Sequence, residues 1–310
     1  MSGRVRILGV VIALAAALSL ARAAAAADRA SAPAADTPST GKQEPLGEVT
    51  ITAQRELARK VLKFVDQIAA RENAEGLPRW NVPVCPLVTG LPKQDGELVL
   101  TRISEAARAA EVPLAGEQCR PNLYVIVLAD PEKALASMGL KKRTRIFGQA
   151  NESVVRHFID SPRPVRVWYN SGMSDPSGML PNVSQYTLDV FDPFAGYPMF
   201  EHTLPTRLSF NRIWSFSSVV LIVDKARLST ISPGQLAGYA AMVGLAEIRP
   251  EAHLDGAKTI LRLFDPAPDS APMDMTDWDH VFLKSLYATP QKSTEQRTEI
   301  AHAMARVLTH

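Results

Sequence analysis

Two short runs of uninterrupted apolar residues set the tightest limit on what this chain can fold into. Residues 123–129 read LYVIVLA, and residues 218–224 read SVVLIVD. A strand with one wet face alternates apolar and polar side chains. A strand without that alternation is covered on both faces. The two runs therefore predict strands of an α/β sheet with packed helices.

The segments around them have the period of helices. Leu57, Val61, Phe64, Val65 and Ile68 recur at helical spacing within residues 54–72, and Leu98, Leu100, Ile103, Ala106 and Ala110 within 97–110. Residues 82–88 are β-rich and carry Cys85. Asp130-Pro131 opens a short helix over 131–140, with an N-cap residue followed by proline at N1. A further helix is expected over 151–159 and a strand over 165–169. Residues 171–181 hold Gly172, Pro176 and Gly178 and read as a mobile loop. Residues 184–214 are extended, aromatic and broken by Pro193, Pro198 and Pro205, as in a long β-excursion or edge hairpin. The C-terminal third is helical. Ser232-Pro233-Gly234-Gln235 combines an N-cap, proline at N1 and glutamine at N3, a capping box. Residues 259–264 form a short helix, Thr276-Asp277-Trp278-Asp279 caps the next, and the last carries Ile300, Ala303, Met304, Val307 and Leu308 on one face.

Of the 310 residues, 46% are hydrophobic and 21% charged, which excludes a wholly disordered or collagen-like chain. Formal net charge is +2, and three of its arginines, Arg4, Arg6 and Arg22, lie in the leader described next. The rest is close to neutral and gives no global electrostatic reason to bind nucleic acid.

The N-terminus has the three parts of a secretory signal peptide: Arg4 and Arg6, the apolar residues 7–20, and the small residues Ala25-Ala26-Ala27 before Asp28. The expected organisation is a signal peptide over 1–27, a flexible Ala/Pro/Ser/Thr-rich linker over 28–53, and one globular α/β domain over 54–310. The implied location is the periplasm or the secreted fraction, with no transmembrane segment in the mature chain. An even pair of cysteines, Cys85 and Cys119, favours a disulfide in an exported protein. Closing that loop would stabilise the fold by ~4 kcal/mol, less any strain.

Residues 48–55, Glu48-Val49-Thr50-Ile51-Thr52-Ala53-Gln54-Arg55, resemble the TonB box found near the mature N-terminus of outer-membrane receptors. The resemblance implies an extended segment offered to a TonB-like partner's sheet edge. An ordinary edge strand, or an extended leader into the next helix, fits the same residues.

The order strand, helix, strand, later strands, capped helix and Asp-rich capped helix resembles the zincins, the matrixin-like zinc metalloproteases. Their active-site helix carries H-E-x-x-H followed by x-x-G. The matching stretch here runs from Ala237 through Gly238, Tyr239, Ala240, Ala241, Met242 and Val243 to Gly244-Leu245. The Gly-Leu pair is in place, but Ala237 and Ala241 stand for the histidines and Gly238 for the glutamate. Histidines at i and i+4 hold one metal while the glutamate activates its water, and alanine and glycine do neither. The resemblance implies a zincin-like scaffold without its metal site, hence no metal and no cofactor. An unrelated α/β fold with an alanine-rich core helix is the other reading. Val84-Cys85-Pro86, Gly90-Leu91-Pro92, residues 119–123, residues 235–245 and Thr276-Asp277-Trp278-Asp279 together resemble a family of uncharacterised exported proteins of Gram-negative bacteria. That likeness implies location and fold, and no activity.

Neither a nucleophile elbow nor a nucleotide-binding glycine motif is present. Glu201-His202, His253 with Asp255, and His157 are scattered acid and imidazole groups that could serve a hydrolase. Asp277, Asp279 and His280 stand at a helix start, where carboxylates meet unpaired N–H groups. The basic run 141–145 suits a helix C-terminus or an anionic envelope polymer. Trp168, Tyr169, Tyr239 and Trp214 are candidates for a ligand groove. Three functions follow from this reading. The first is a non-catalytic, pseudoenzyme-like binder of a peptide or envelope polymer, the second a periplasmic hydrolase with an unrecognised active site, and the third an accessory component of a TonB-linked receptor system.

Overall fold

Successive side chains of a strand point to opposite faces, so a run without polar residues needs two apolar layers. In the computed structural model, Leu123–Leu128 (β2) sends Leu123, Val125 and Val127 into one core and Tyr124 and Ile126 into another. Ile213–Asp224 (β6) does the same, with Val219, Leu221 and Val223 on one side and Val220 and Ile222 on the other. Each such side chain, fully buried, contributes about 1.5–3 kcal/mol. The structure describes residues 46–70, 76–139, 143, 146–148, 150–174, 183–184, 199–200, 213–250, 252, 254, 256–265, 271–291 and 295–309.

The sheet is mixed and has four strands. Pro86–Thr89 (β1) pairs parallel with β2, β2 pairs parallel with β6, and Val165–Ser174 (β3) closes the edge antiparallel to β6. Helix Lys93–Ala109 (α2) makes the crossover between β1 and β2. Opposite Asn170–Ser171 the register slips by one residue, leaving Ser217 as a bulge whose hydroxyl donates to the Asn170 carbonyl. A separate ribbon pairs Val183–Ser184 (β4) with Met199–Phe200 (β5).

The thicker layer holds Leu46–Ile68 (α1), α2, Pro233–Leu245 (α5), Asp277–Ala288 (α6) and Gln296–Leu308 (α7). The thinner one holds Pro131–Ala136 (α3) and Glu152–Asp160 (α4). The expected class, an α/β protein with a mixed sheet, packed helices and a helical C-terminal third, is the one observed. Both expected capping boxes form, Ser232 with Gln235 and Thr276 with Asp279. Cys85 and Cys119 are joined, with Cα atoms 6.0 Å apart. The bond ties the entry of β1 to the segment entering β2. The Asn122 carboxamide spans the same gap, accepting from Cys85 N at 2.8 Å and donating to Pro83 O at 3.0 Å.

Several boundaries differ from expectation. The first helix begins at Leu46, so residues 48–55 are its opening turns and not an extended or linker segment. Val61, Phe64, Val65 and Ile68 anchor the helix in the core, and once nucleated there it propagates back through β-branched residues. Residues 171–174, expected in a loop, extend β3 because residues 213–216 pair with them. Residues 260–264 form a 3-10 turn. The remainder of the expected loop, the basic run except Arg143, and most of the expected β-excursion lie outside the described residues. No helix among the described residues is long and apolar enough to cross a membrane.

Candidate functional site

Helix α5 decides where a site can exist. It follows central strand β6 and is buried on most of its circumference. An α-helix turns about 100° per residue. Tyr239 and Val243 therefore share one face, while Ala237 and Ala241, each two residues from Tyr239, lie about 200° away. Ala237 and Ala241 are fully buried core residues. Gly244 faces β2, where an added Cβ would stand 3.0 Å from Leu123 Cδ1. Gly238 faces the chain entering α6, where an added Cβ would stand 3.0 Å from both Asp274 Oδ1 and Met275 N. Small residues let this helix touch its neighbours closely on three sides. Methyl groups and a glycine supply no metal donor, so positions 237, 238 and 241 do not fit zinc. Among the described residues no three His, Cys, Asp or Glu side chains converge.

The C-terminal end of α5 is buried and lacks a glycine cap, its C-cap Ala246 being extended. Orphan carbonyls in such a place need donors. Three aromatic side chains supply them. Tyr169 Oη donates to Val243 O at 3.0 Å, Trp80 Nε1 to Gly244 O at 2.8 Å, and Tyr287 Oη to Leu245 O at 2.7 Å. Tyr169 Oη also accepts from Ile248 N, and Tyr287 Oη from Trp80 N. Burial pushes both phenols well above the usual tyrosine range, so they remain protonated donors.

The fourth side of α5 opens on a cleft of about 200 Å³ beside edge strand β3. Val165, Val167 and Tyr169 of β3 form one wall, and Tyr239 and Val243 of α5 the other. Ile248, Leu254, Leu261 and Phe264 complete an apolar lining, with the Phe264 ring edge-on to Tyr239 at 5.0 Å between centroids. Charged residues Arg163, Arg249 and Asp265 complete the lining. Asp265 is ion-paired with Arg262, Nε to Oδ2 at 2.9 Å. Burial pushes the Tyr239 phenol up to about 12, opposed by the charge of Arg163 and aided by that of Asp265. Among the described residues that hydroxyl has no hydrogen-bond partner.

The four residues expected to share a groove are divided. Tyr169 and Tyr239 line the cleft. Trp168, next to Tyr169 on a strand, faces the opposite way and packs edge-on against Phe147 and Phe158 in the thinner layer. Trp214, 45 residues after Tyr169 in sequence, is paired across β3–β6 with Met173, at the other end of the strand, and does not line the cleft. His157 lies on α4, in the layer across the sheet. Glu201, His202, His253 and Asp255 lie outside the described residues. Asp279 is fully buried and accepts from Ile260 N at 2.9 Å and Thr276 N at 2.8 Å, so it ties a turn and a helix start together. The sequence reading missed Arg163, Val165, Arg249, Phe264 and Asp265. Alternation along β3 could have found Val165, but the others share no local pattern.

No protein-family model, curated protein sequence or solved structure matches the chain.

Proposed function

We propose that this chain is an exported, non-catalytic binding protein of the cell envelope. Its ligand sits in the cleft between β3 and α5, on a zincin-like scaffold whose metal positions are occupied by Ala237, Gly238 and Ala241. One observation carries the reading. Tyr239 lines a cleft of mixed apolar and charged residues, its hydroxyl has no hydrogen-bond partner among the described residues, and a polar group in that setting gains most by meeting a ligand. Among the described residues, the cleft walls offer no nucleophile paired with a base, which supports binding over hydrolysis. The helical state of residues 48–55 gives no support to a TonB-like partner, because a helix spends its backbone N–H groups internally.

The test uses the full chain expressed in a Gram-negative host. Mass spectrometry of the periplasmic protein should give a new N-terminus at Asp28, and recovery of an intact Met1 chain in the inner membrane would refute export. The purified protein is then titrated with a panel of short peptides and soluble envelope oligosaccharides. Binding should appear and be lost in Ala252→Trp, which fills the cleft from a partly exposed position. Binding that survives this substitution would move the site elsewhere.

A further inference from the structure

The cleft's size and the state of its polar groups narrow what it can hold. An apolar cavity of about 150 Å³ holds one benzene ring. At about 200 Å³ the cleft has room for one ring with a small substituent, and it is smaller than the ~300–1,000 Å³ of pockets that enclose drug-sized ligands. Its lining favours an aromatic ring over an aliphatic one. Tyr169, Tyr239 and Phe264 all line it, and Phe264 already meets Tyr239 edge-on at 83° between ring planes. An aromatic guest gains contacts of the same kind, which an aliphatic guest forgoes. The charged residues do not select the ligand. Asp265 is ion-paired with Arg262, and Arg163 and Arg249 each have an interaction within the protein. A charged ligand would compete with those partners. The Tyr169 proton is committed to Val243 O. The Tyr239 hydroxyl, by contrast, has no hydrogen-bond partner among the described residues. An uncharged ligand with one hydroxyl supplies that partner and leaves every existing interaction in place.

Resting on the binding reading above, we propose that the cleft takes one uncharged phenol ring, packed among Tyr169, Tyr239 and Phe264 and hydrogen-bonded through its hydroxyl to Tyr239 Oη. A phenolic hydroxyl both donates and accepts, so the two oxygens pair in either sense. A free phenol and the side chain of a tyrosyl peptide carry this same chemistry. A neutral sugar would leave the apolar walls without a matching surface.

The full chain is titrated with p-cresol, toluene, 4-methylcyclohexanol and benzoate, and the Tyr239 ring resonances report occupancy of the cleft. p-Cresol should bind about 2- to 10-fold more tightly than toluene, the range for one neutral hydrogen bond. Benzoate should bind at least about 10-fold more weakly than p-cresol, because its charge loses water without gaining a partner. Tyr239→Phe should remove the preference for p-cresol over toluene, and Ala252→Trp should abolish p-cresol binding. Acetyl-tyrosine N-methylamide binding more tightly than p-cresol would assign the ring to a peptide, and weaker binding to a free phenol; each order supports the phenol site. Equal binding of p-cresol and toluene would overturn the hydroxyl's role, and 4-methylcyclohexanol binding as tightly as p-cresol would overturn the aromatic ring. Benzoate binding more tightly than p-cresol would overturn the uncharged ligand. If no phenol shifts the Tyr239 signals, this inference falls. The binding reading then stands only if a peptide or oligosaccharide binds and is lost in Ala252→Trp.

Discussion

Tyr287 in α6 donates its phenolic proton to the carbonyl oxygen of Leu245, the last residue of α5, across 2.7 Å. The same oxygen atom of Tyr287 accepts from Trp80 N at 3.2 Å. One hydroxyl thus closes a buried helix end and a backbone amide 207 residues distant in sequence. With Tyr169 and Trp80 it replaces the glycine cap that α5 lacks, and Tyr169 is also a wall of the cleft. The helix that frames the cleft is fixed by side chains from three other parts of the chain.

Tyr287→Phe should test this cap. It removes the donor to Leu245 and the acceptor for Trp80 N while keeping the ring. Two buried polar groups lose partners, so stability should fall by about 1–3 kcal/mol. Urea unfolding reads the change, and an unaltered midpoint would show that the carbonyl finds another donor.

Reducing the Cys85–Cys119 bond should destabilise the chain by up to ~4 kcal/mol. The loss will be smaller if the reduced chain keeps the Asn122 bridge between the two segments. Unfolding curves with and without reductant measure it. Coincident curves would remove the disulfide from the stabilising contacts.

Gly238→Ala should cost about 1 kcal/mol. Crowding against Asp274 and Met275 opposes the gain in helix propensity, and backbone is slow to yield. Restoring the zincin pattern with Ala237→His, Gly238→Glu and Ala241→His should prevent folding, because polar side chains would enter a packed core. A folded triple variant holding one zinc per chain after dialysis would contradict this.

Asp279 should make stability depend on pH. Burial raises its carboxyl above the ordinary value, outweighing the bonds it accepts from Thr259, Thr276 and Ile260. The folded protein then holds the proton more firmly than the unfolded chain. The resulting stabilisation is complete below the unfolded value of about 3.9 and is lost as pH rises through the folded one. Wild type should therefore lose stability relative to Asp279→Asn as pH rises from about 4. A relative gain over that range would reverse the assignment.

How far the fold was legible depended on whether the signal was local. Residues 123–129 and 218–224 announced doubly covered strands because 123–129 and 219–223 are apolar without alternation, and a strand with one wet face would alternate. Ser232 with Gln235, and Thr276 with Asp279, announced helix starts because a cap is settled within four residues. Two cysteines, an even count in a chain expected to be exported, announced their own pairing. The start of the first helix was misjudged because residues 48–55 have β-branched side chains, whereas packing of Val61 to Ile68 carries the helix back through them. Pairing Trp168 with Tyr169 in one groove was an error that the strand period of two could have prevented. The cleft was beyond sequence reasoning. Arg163, Tyr239, Arg249 and Asp265 meet only because edge strand β3, helix α5 and the 3-10 turn 260–264 converge at one side of the sheet. The sequence by itself determined the two doubly covered strands, the two capped helix starts and the disulfide, since each follows from residue types legible along the chain. The tertiary structure alone decided that α5 turns Ala237 and Ala241 into the core and Tyr239 toward an open cleft, because helix rotation is set by the surfaces packed against it.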